Sequence, residues 1–202
     1  MDSTLFNQIL DEASFLWFQR SNASNSEYFD LNSLIQLDRR LAGLFRLLPS
    51  SDEITKEENK AYDPEDPDRF YCILIACAAL KDADLITLIT EAHQADAPAD
   101  EIIAALAWAD YKSISHVIYK LWESQQPELQ HIALESWRLH RTKPDINLLD
   151  AINSTHQNIT SSALRICGEL ALPDFYPHIA DKLASDDINI RFWASYSCAL
   201  LG

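Results

Sequence analysis

Over residues 4–20 the apolar side chains return at intervals of three and four: Leu5, Ile9, Leu10, Ala13, Leu16 and Trp17 share one side of a predicted helix. Asp30 supplies a side-chain cap for a second helix, predicted over 30–49, with Leu31, Leu34, Ile35, Leu37, Leu41, Leu44, Phe45 and Leu48 on its apolar side. Its Asp38-Arg39-Arg40 run falls on the opposite side, and Pro49 ends it. The periodicity then stops. Residues 50–68, SSDEITKEENKAYDPEDPD, hold eight acids, two lysines and two prolines, a composition that predicts a loop or linker. The pattern therefore predicts an amino-terminal helical pair over 1–49, an acidic linker over 50–68 and a helical region over 69–202.

Beyond residue 69 the pattern repeats. Ala76, Ala104, Ala133, Ala163 and Ala194 are spaced by 28, 29, 30 and 31 residues, and four residues after each stands another core candidate: Leu80, Trp108, Trp137, Cys167 and Cys198. An alanine there lets a neighbouring helix come close. At a shift of 31 the last two units align Leu148 with Ile179, Ile152 with Leu183, Ile159 with Ile190 and Leu170 with Leu201. Each unit reads as two helices around a short polar turn. The first helices are predicted over 85–95, 115–123, 146–153 and 175–184, the second over 98–109, 127–140, 158–170 and 187–201. Such a unit cannot bury its apolar side alone, so the units are expected to stack into an all-α solenoid with the first two helices as a cap. The period excludes neither ankyrin nor tetratricopeptide repeats, but their signature residues are missing, which leaves a HEAT-like repeat.

Composition narrows the chemistry. Only three glycines occur, Gly43, Gly168 and Gly202, and none forms a cluster, so no P-loop, dinucleotide-binding turn or nucleophile elbow can be built. The six histidines never form HExxH, and no metal or other cofactor is expected. His131 and His140 lie nine apart with Glu135 and Arg138 between them, and read as surface or satisfied groove residues. The four cysteines form no CxxC, and Cys72 and Cys77, five apart on one helix, point in different directions; buried free thiols are expected. Sixteen basic against 31 acidic residues give a net charge of −15, which repels phosphate backbones and anionic lipid; its plain reading is an acidic surface that keeps the protein soluble, and its sharper alternative is a basic protein partner. The start, Met1-Asp2-Ser3-Thr4, carries neither a basic nor an apolar leader segment, and the longest apolar run, 73–80, is too short to span a membrane, so a cytoplasmic location is expected.

The chain resembles a bacterial family of HEAT-like repeat proteins whose genes often lie near type VI secretion clusters. The likeness is carried by Glu12-Ala-Ser-Phe-Leu-Trp17, Leu34-Ile-Gln-Leu-Asp-Arg-Arg-Leu41, Ala105-Leu-Ala-Trp108, Leu139-His-Arg141 and Ala163-Leu-Arg-Ile-Cys-Gly-Glu-Leu170. Most specific is Arg191-Phe-Trp193, which opens Arg191-Phe-Trp-Ala-Ser-Tyr-Ser-Cys-Ala-Leu-Leu-Gly202. Members of that family are about twice as long, so the resemblance implies that these residues correspond to its amino-terminal half. It carries over no catalytic residue, and implies a secretion component or its cargo as partner.

The expected function is a non-catalytic scaffold whose stacked second helices hold a partner protein. Candidate contacts are Glu135, Arg138, Arg165, Glu169, Arg191 and Tyr196; the same charges could equally form an internal salt-bridge ladder. Two alternatives stay open. One is a nucleic-acid-binding enzyme of the HEAT-like DNA glycosylase type, which needs a basic, aromatic-lined groove. Against it, Trp108 and Trp137, two of the five tryptophans, occupy equivalent buried repeat positions, and the charge is wrong. The other is a support for an activity in a missing carboxy-terminal half. Leu200-Leu201, with no polar capping helix after them, predict a stack-end contact with absent chain or with a second copy.

Overall fold

A computed structural model describes residues 3–24, 26–28, 30–47, 61–80 and 84–202. Among them are eleven α-helices and no strands. Most of the predicted linker, residues 50–60, and the predicted end of the second helix at Leu48 and Pro49 lie outside the described residues. No described helix is long and apolar enough to cross a membrane. The chain divides into two compact units, Met1–Ile114 and Ser115–Gly202. The boundaries read from the sequence, at 49/50 and 68/69, mark changes in composition, and the first lies outside the described residues. Composition marks where a chain leaves a helix, whereas compactness marks where packing thins out.

In the first unit, α1 (Ser3–Ser24) packs on α2 (Leu31–Leu47) and α3 (Pro67–Leu80), and α3 packs on α4 (Leu85–Gln94) and α5 (Ala99–Trp108). Helix α3 is central. Residues 70–78 are buried without interruption, as expected of a helix that is apolar all round and enclosed by others. Pro67 opens it, where a missing N–H costs nothing. Arg69 ties it to α1 through Asp11 at 2.6 Å and Asn7 at 2.7 Å, and Arg20 ties α1 to Asp38 of α2 at 2.7 Å. The cap predicted for α2 is present, with Ser33 N–H donating to Asp30 Oδ1 at 2.8 Å.

Several predicted core positions of this unit are not buried. Leu5, Leu31 and Ile35 are exposed, and on α2 only Leu37 and Leu41 are buried. Helix α2 packs chiefly against α1, which covers the middle of its apolar side and leaves the edges open. On α5 the predicted Ala104 is half-exposed and its neighbour Ala105 fully buried, a rotation of about 100° from the expected register. Trp108 is half-buried, edge-on to Trp17 and Phe45, with the Arg20 guanidinium 5.2 Å from its ring centre.

Helix α6 (Tyr111–Glu123) spans the division between the units. The second unit continues with α7 (Pro127–Leu139), α8 (Leu148–Ile152), α9 (Gln157–Glu169), α10 (Tyr176–Asp181) and α11 (Ile188–Leu201). Helix α9 lies between α7 and α11, with α8 and α10 beside them. Ala133, Ala163 and Ala194 are fully buried, as the repeat predicts, and Trp137 and Cys167 follow one turn later, also buried. The predicted helix over 175–184 breaks into a 3₁₀ turn (Pro173–Phe175), α10 and a second 3₁₀ turn (Lys182–Ala184). The tighter winding turns Leu183 outward although its repeat equivalent Ile152 is buried.

With so little glycine, the helix ends use other residues. Helices α4, α7 and α9 all close with paired backbone bonds of the Schellman type. After α9, Leu172 N–H donates to Cys167 at 2.9 Å and Ala171 N–H to Gly168 at 3.1 Å. The residues at the left-handed position are Asp96 (φ 59°), Arg141 (φ 50°) and Ala171 (φ 52°). A Cβ there costs about 1–2 kcal/mol. Ala171 is exposed and packs nothing, so Ala171→Gly is expected to stabilise the second unit by about 0.5–1 kcal/mol in a urea titration, after the entropy glycine adds to the unfolded chain.

Candidate functional site

The repeat offset of 30 or 31 residues sets side chains of α7 directly against those of α9. Glu135, on α7, is only 4% exposed. Its Oε2 accepts from Arg138 Nε at 2.8 Å and lies 3.3 Å from Arg165 Nη1 of α9. Arg138 reaches across to Glu169 Oε2 at 3.1 Å, and Arg165 Nε stands 3.6 Å from Glu169 Oε1. Four of the six predicted contact residues thus form one closed ladder of two carboxylates and two guanidiniums. Burial pushes the Glu135 carboxyl up, but Arg138, then Ser162 and Arg165, outweigh it and hold it below the usual carboxylate range. Burial likewise works against the charge on Arg138, and Glu135 with Glu169 overcomes it, so the guanidinium is held above its ordinary value. These groups stay charged and hold two helices together; neither is poised to move a proton near neutral pH.

The other two predicted residues stand apart from the ladder. Arg191 is spent on the turn before α11, donating to the carbonyls of Ser185 at 2.6 Å and Asp186 at 2.9 Å. Tyr196 is 39% exposed on α11, with its ring edge-on to Trp193.

Three further contacts were not read from the sequence, which placed His131 in the groove but named no partner for it. His131 Nδ1 lies 3.0 Å from Ser162 Oγ, the Arg165 guanidinium stacks 4.2 Å from the centre of the Trp193 ring, and Ser197 Oγ donates to the Leu164 carbonyl at 2.7 Å. The repeat itself held the signal, because His131 and Ser162, like Arg138 and Glu169, are 31 residues apart. Between these side chains lies a cleft of about 150 Å³, lined among others by His131, Glu135, Ser161, Arg165, Asn189 and Trp193. Glu135 Oε1, Ser161 Oγ and Arg165 Nε are buried at its wall without a hydrogen-bond partner; Ser162 lies near enough to bias Glu135 but makes no such bond to Oε1.

A serine hydroxyl on an imidazole is also the opening arrangement of nucleophilic catalysis. Ser162, however, is 2% exposed, so no substrate carbonyl can reach it, and its contact with His131 acts as a tie between helices. The thiols offer no alternative nucleophile. Cys72, Cys77 and Cys167 are buried and Cys198, against expectation, is only half-buried; burial pushes the Cys167 thiol up to about 12 and raises Cys198 as well, so the reactive thiolate is scarce at neutral pH. Among the described residues no three His, Cys, Asp or Glu side chains are grouped to hold a metal ion.

A second cleft, of about 400 Å³, lies in the first unit against Asn7, Asp11, Asp63, Asp66 and Arg69. Arg69, the one cation among its described lining residues, is paired with Asp11. Nearby Asp68 is raised to about 6 by burial, then by Glu101 and Asp66. A surface this acidic repels phosphate.

No family model, curated protein or solved structure matches the chain.

Proposed function

We propose that the chain is a non-catalytic interaction scaffold: an α-solenoid of HEAT-like repeats, opened by a two-helix cap, that presents a helical surface to a protein partner in the cytoplasm. The observation that carries this reading is the row Ile188, Phe192, Tyr196 and Leu200 on α11, with exposures of 71, 58, 39 and 49%. Residues four apart share one side of a helix, and a contiguous apolar side left in water is the usual mark of a contact surface. The interior ladder supports the same reading from the other direction. Its charges are spent on each other, so Glu135, Arg138, Arg165 and Glu169 position α11 instead of meeting the partner. The resemblance to the HEAT-like family near secretion clusters would make the chain an adaptor for a secretion component or its cargo.

The test is capture from a cell lysate with the full chain as bait, beside a Phe192→Glu, Tyr196→Glu bait. Both positions are exposed, so this variant keeps its fold; reversing Arg138 or Arg165 would damage the ladder and say nothing about the surface. The expected result is a protein, other than the chain itself, held by the native bait and lost from the variant. Equal capture by both baits, or duplex DNA bound at about 50 mM salt, where phosphate contacts are strongest, would overturn the reading.

A further inference from the structure

Helix α11 carries one charged residue, Arg191, which is already engaged by backbone carbonyls. In a chain of net charge −15 a helix face without acidic residues adds no close like-charge contact to the approach of a second copy. Small and large residues alternate on it. Ser195 and Ala199 are exposed between Phe192, Tyr196 and Leu200, and the Ser195 hydroxyl is folded back onto the Arg191 carbonyl at 2.8 Å, which leaves a shallow, satisfied surface.

The same face is in use one repeat earlier. At the 31-residue offset, Ser161, Leu164, Arg165 and Gly168 of α9 correspond to Phe192, Ser195, Tyr196 and Ala199 of α11. On α9 those positions receive α11. Gly168 lies against Ser197, the Leu164 carbonyl accepts the Ser197 hydroxyl, and Arg165 stacks on Trp193. The α11 face therefore continues an established helix-receiving surface, with Ser161 and Arg165 of α9 replaced by the aromatic Phe192 and Tyr196.

We infer that this face is a homodimer contact, in which α11 of two copies packs antiparallel about a two-fold axis beside Ser195 and Tyr196. That axis sets Phe192 of each copy against Ala199 of the other, and Tyr196 of each against Ser195 of the other, so these two aromatic side chains each meet a small one, while Leu200 falls opposite Arg191. A self-complementary patch of this kind is what an isologous interface requires. The inference rests on the scaffold reading and names one occupant of its surface.

Sedimentation velocity of the full chain at about 150 mM salt, over roughly 1–100 µM, tests it. The expected species at the top of that range has twice the 23.0 kDa of one chain. Phe192→Glu and Ala199→Glu, each introducing two symmetry-related charges into apolar contacts, are each expected to raise the dimer dissociation constant at least about a hundredfold with unchanged helicity. A monomer at the highest concentration, or a dimer that survives both substitutions, would overturn the inference. The two readings separate cleanly. A monomer that still captures another protein through Phe192 and Tyr196 sinks the dimer and keeps the scaffold, whereas a dimer dissolved by Ala199→Glu that captures nothing else does the reverse.

Discussion

Gly168→Ala is expected to destabilise the Ser115–Gly202 unit by about 2 kcal/mol, although alanine is the better helix former. A Cβ at Gly168 would lie 2.7 Å from Cα, Cβ and Oγ of Ser197, closer than such atoms approach one another. One of the three is backbone, so a side-chain rotation cannot relieve the clash and α9 and α11 must move apart. Separating them stretches the bond from Ser197 Oγ to the Leu164 carbonyl, 2.7 Å long and fully buried, and loosens the packing around Ala163 and Ala194. Overpacking of this kind costs about 1–3 kcal/mol, and a buried hydrogen bond lost with it about 1 kcal/mol more. The helix-propensity gain returns about 1 kcal/mol, which leaves the net near 2. Urea midpoints of the native chain and the variant measure it. Adding Ser197→Gly removes two of the three clashing atoms but not Cα, so the double variant should recover only part of the loss. A Gly168→Ala chain as stable as the native one would show that the crossing is looser than 2.7 Å implies.

This crossing also shows what the sequence made legible. The spacing of Ala133, Ala163 and Ala194 located three stacked helices of the second unit, because a repeat leaves its closest contacts at a constant offset. The partners of those alanines were harder to read. Nothing in the local pattern marks Gly168 as the point where Ser197 arrives, since a glycine at the end of a helix usually marks a cap, and here Ala171 takes the capping position. In the first unit the pattern overstated the core. Leu31 and Ile35 have the right period to be buried, but periodicity shows only which side of a helix is apolar, and what covers that side depends on helices distant in sequence. The charged candidates were legible as a group and ambiguous in role. Glu135, Arg138, Arg165 and Glu169 have the spacing of a groove and of a ladder alike. That they pair with one another follows from how closely α7 and α9 pack, which is a property of the unit as a whole.

Glu135→Gln is expected to cost about 3 kcal/mol at pH 7, the largest single loss among these substitutions. The replacement keeps the shape of the side chain and removes its charge, so Arg138 and Arg165 lose the negative charge on the oxygen that both approach, at 2.8 and 3.3 Å. Breaking one partner out of a buried ion pair costs about 3–5 kcal/mol. The lower end applies here, because the two arginines are 13 and 24% exposed and each retains Glu169. The charge also fixes the pH dependence. Glu135 titrates lower in the folded chain than the ordinary glutamate value near 4.3, so folding favours its ionised form. Its contribution is therefore complete above about pH 4.3 and is lost as the pH falls through the lower, folded value. The stability gap between the native chain and Glu135→Gln, read from urea midpoints, should be constant from pH 7 to about 5 and close steadily in more acid solution. Glu128→Gln, on an exposed position of the same helix, should shift stability by less than about 0.5 kcal/mol throughout. A gap that persisted undiminished at pH 3 would assign the loss to packing, and the ladder would then no longer explain how α9 is held against α7. If the gap closes with acid, the four charges act as a structural fastening, and α11, which Arg165 reaches through Trp193, keeps its exposed face in place because of them.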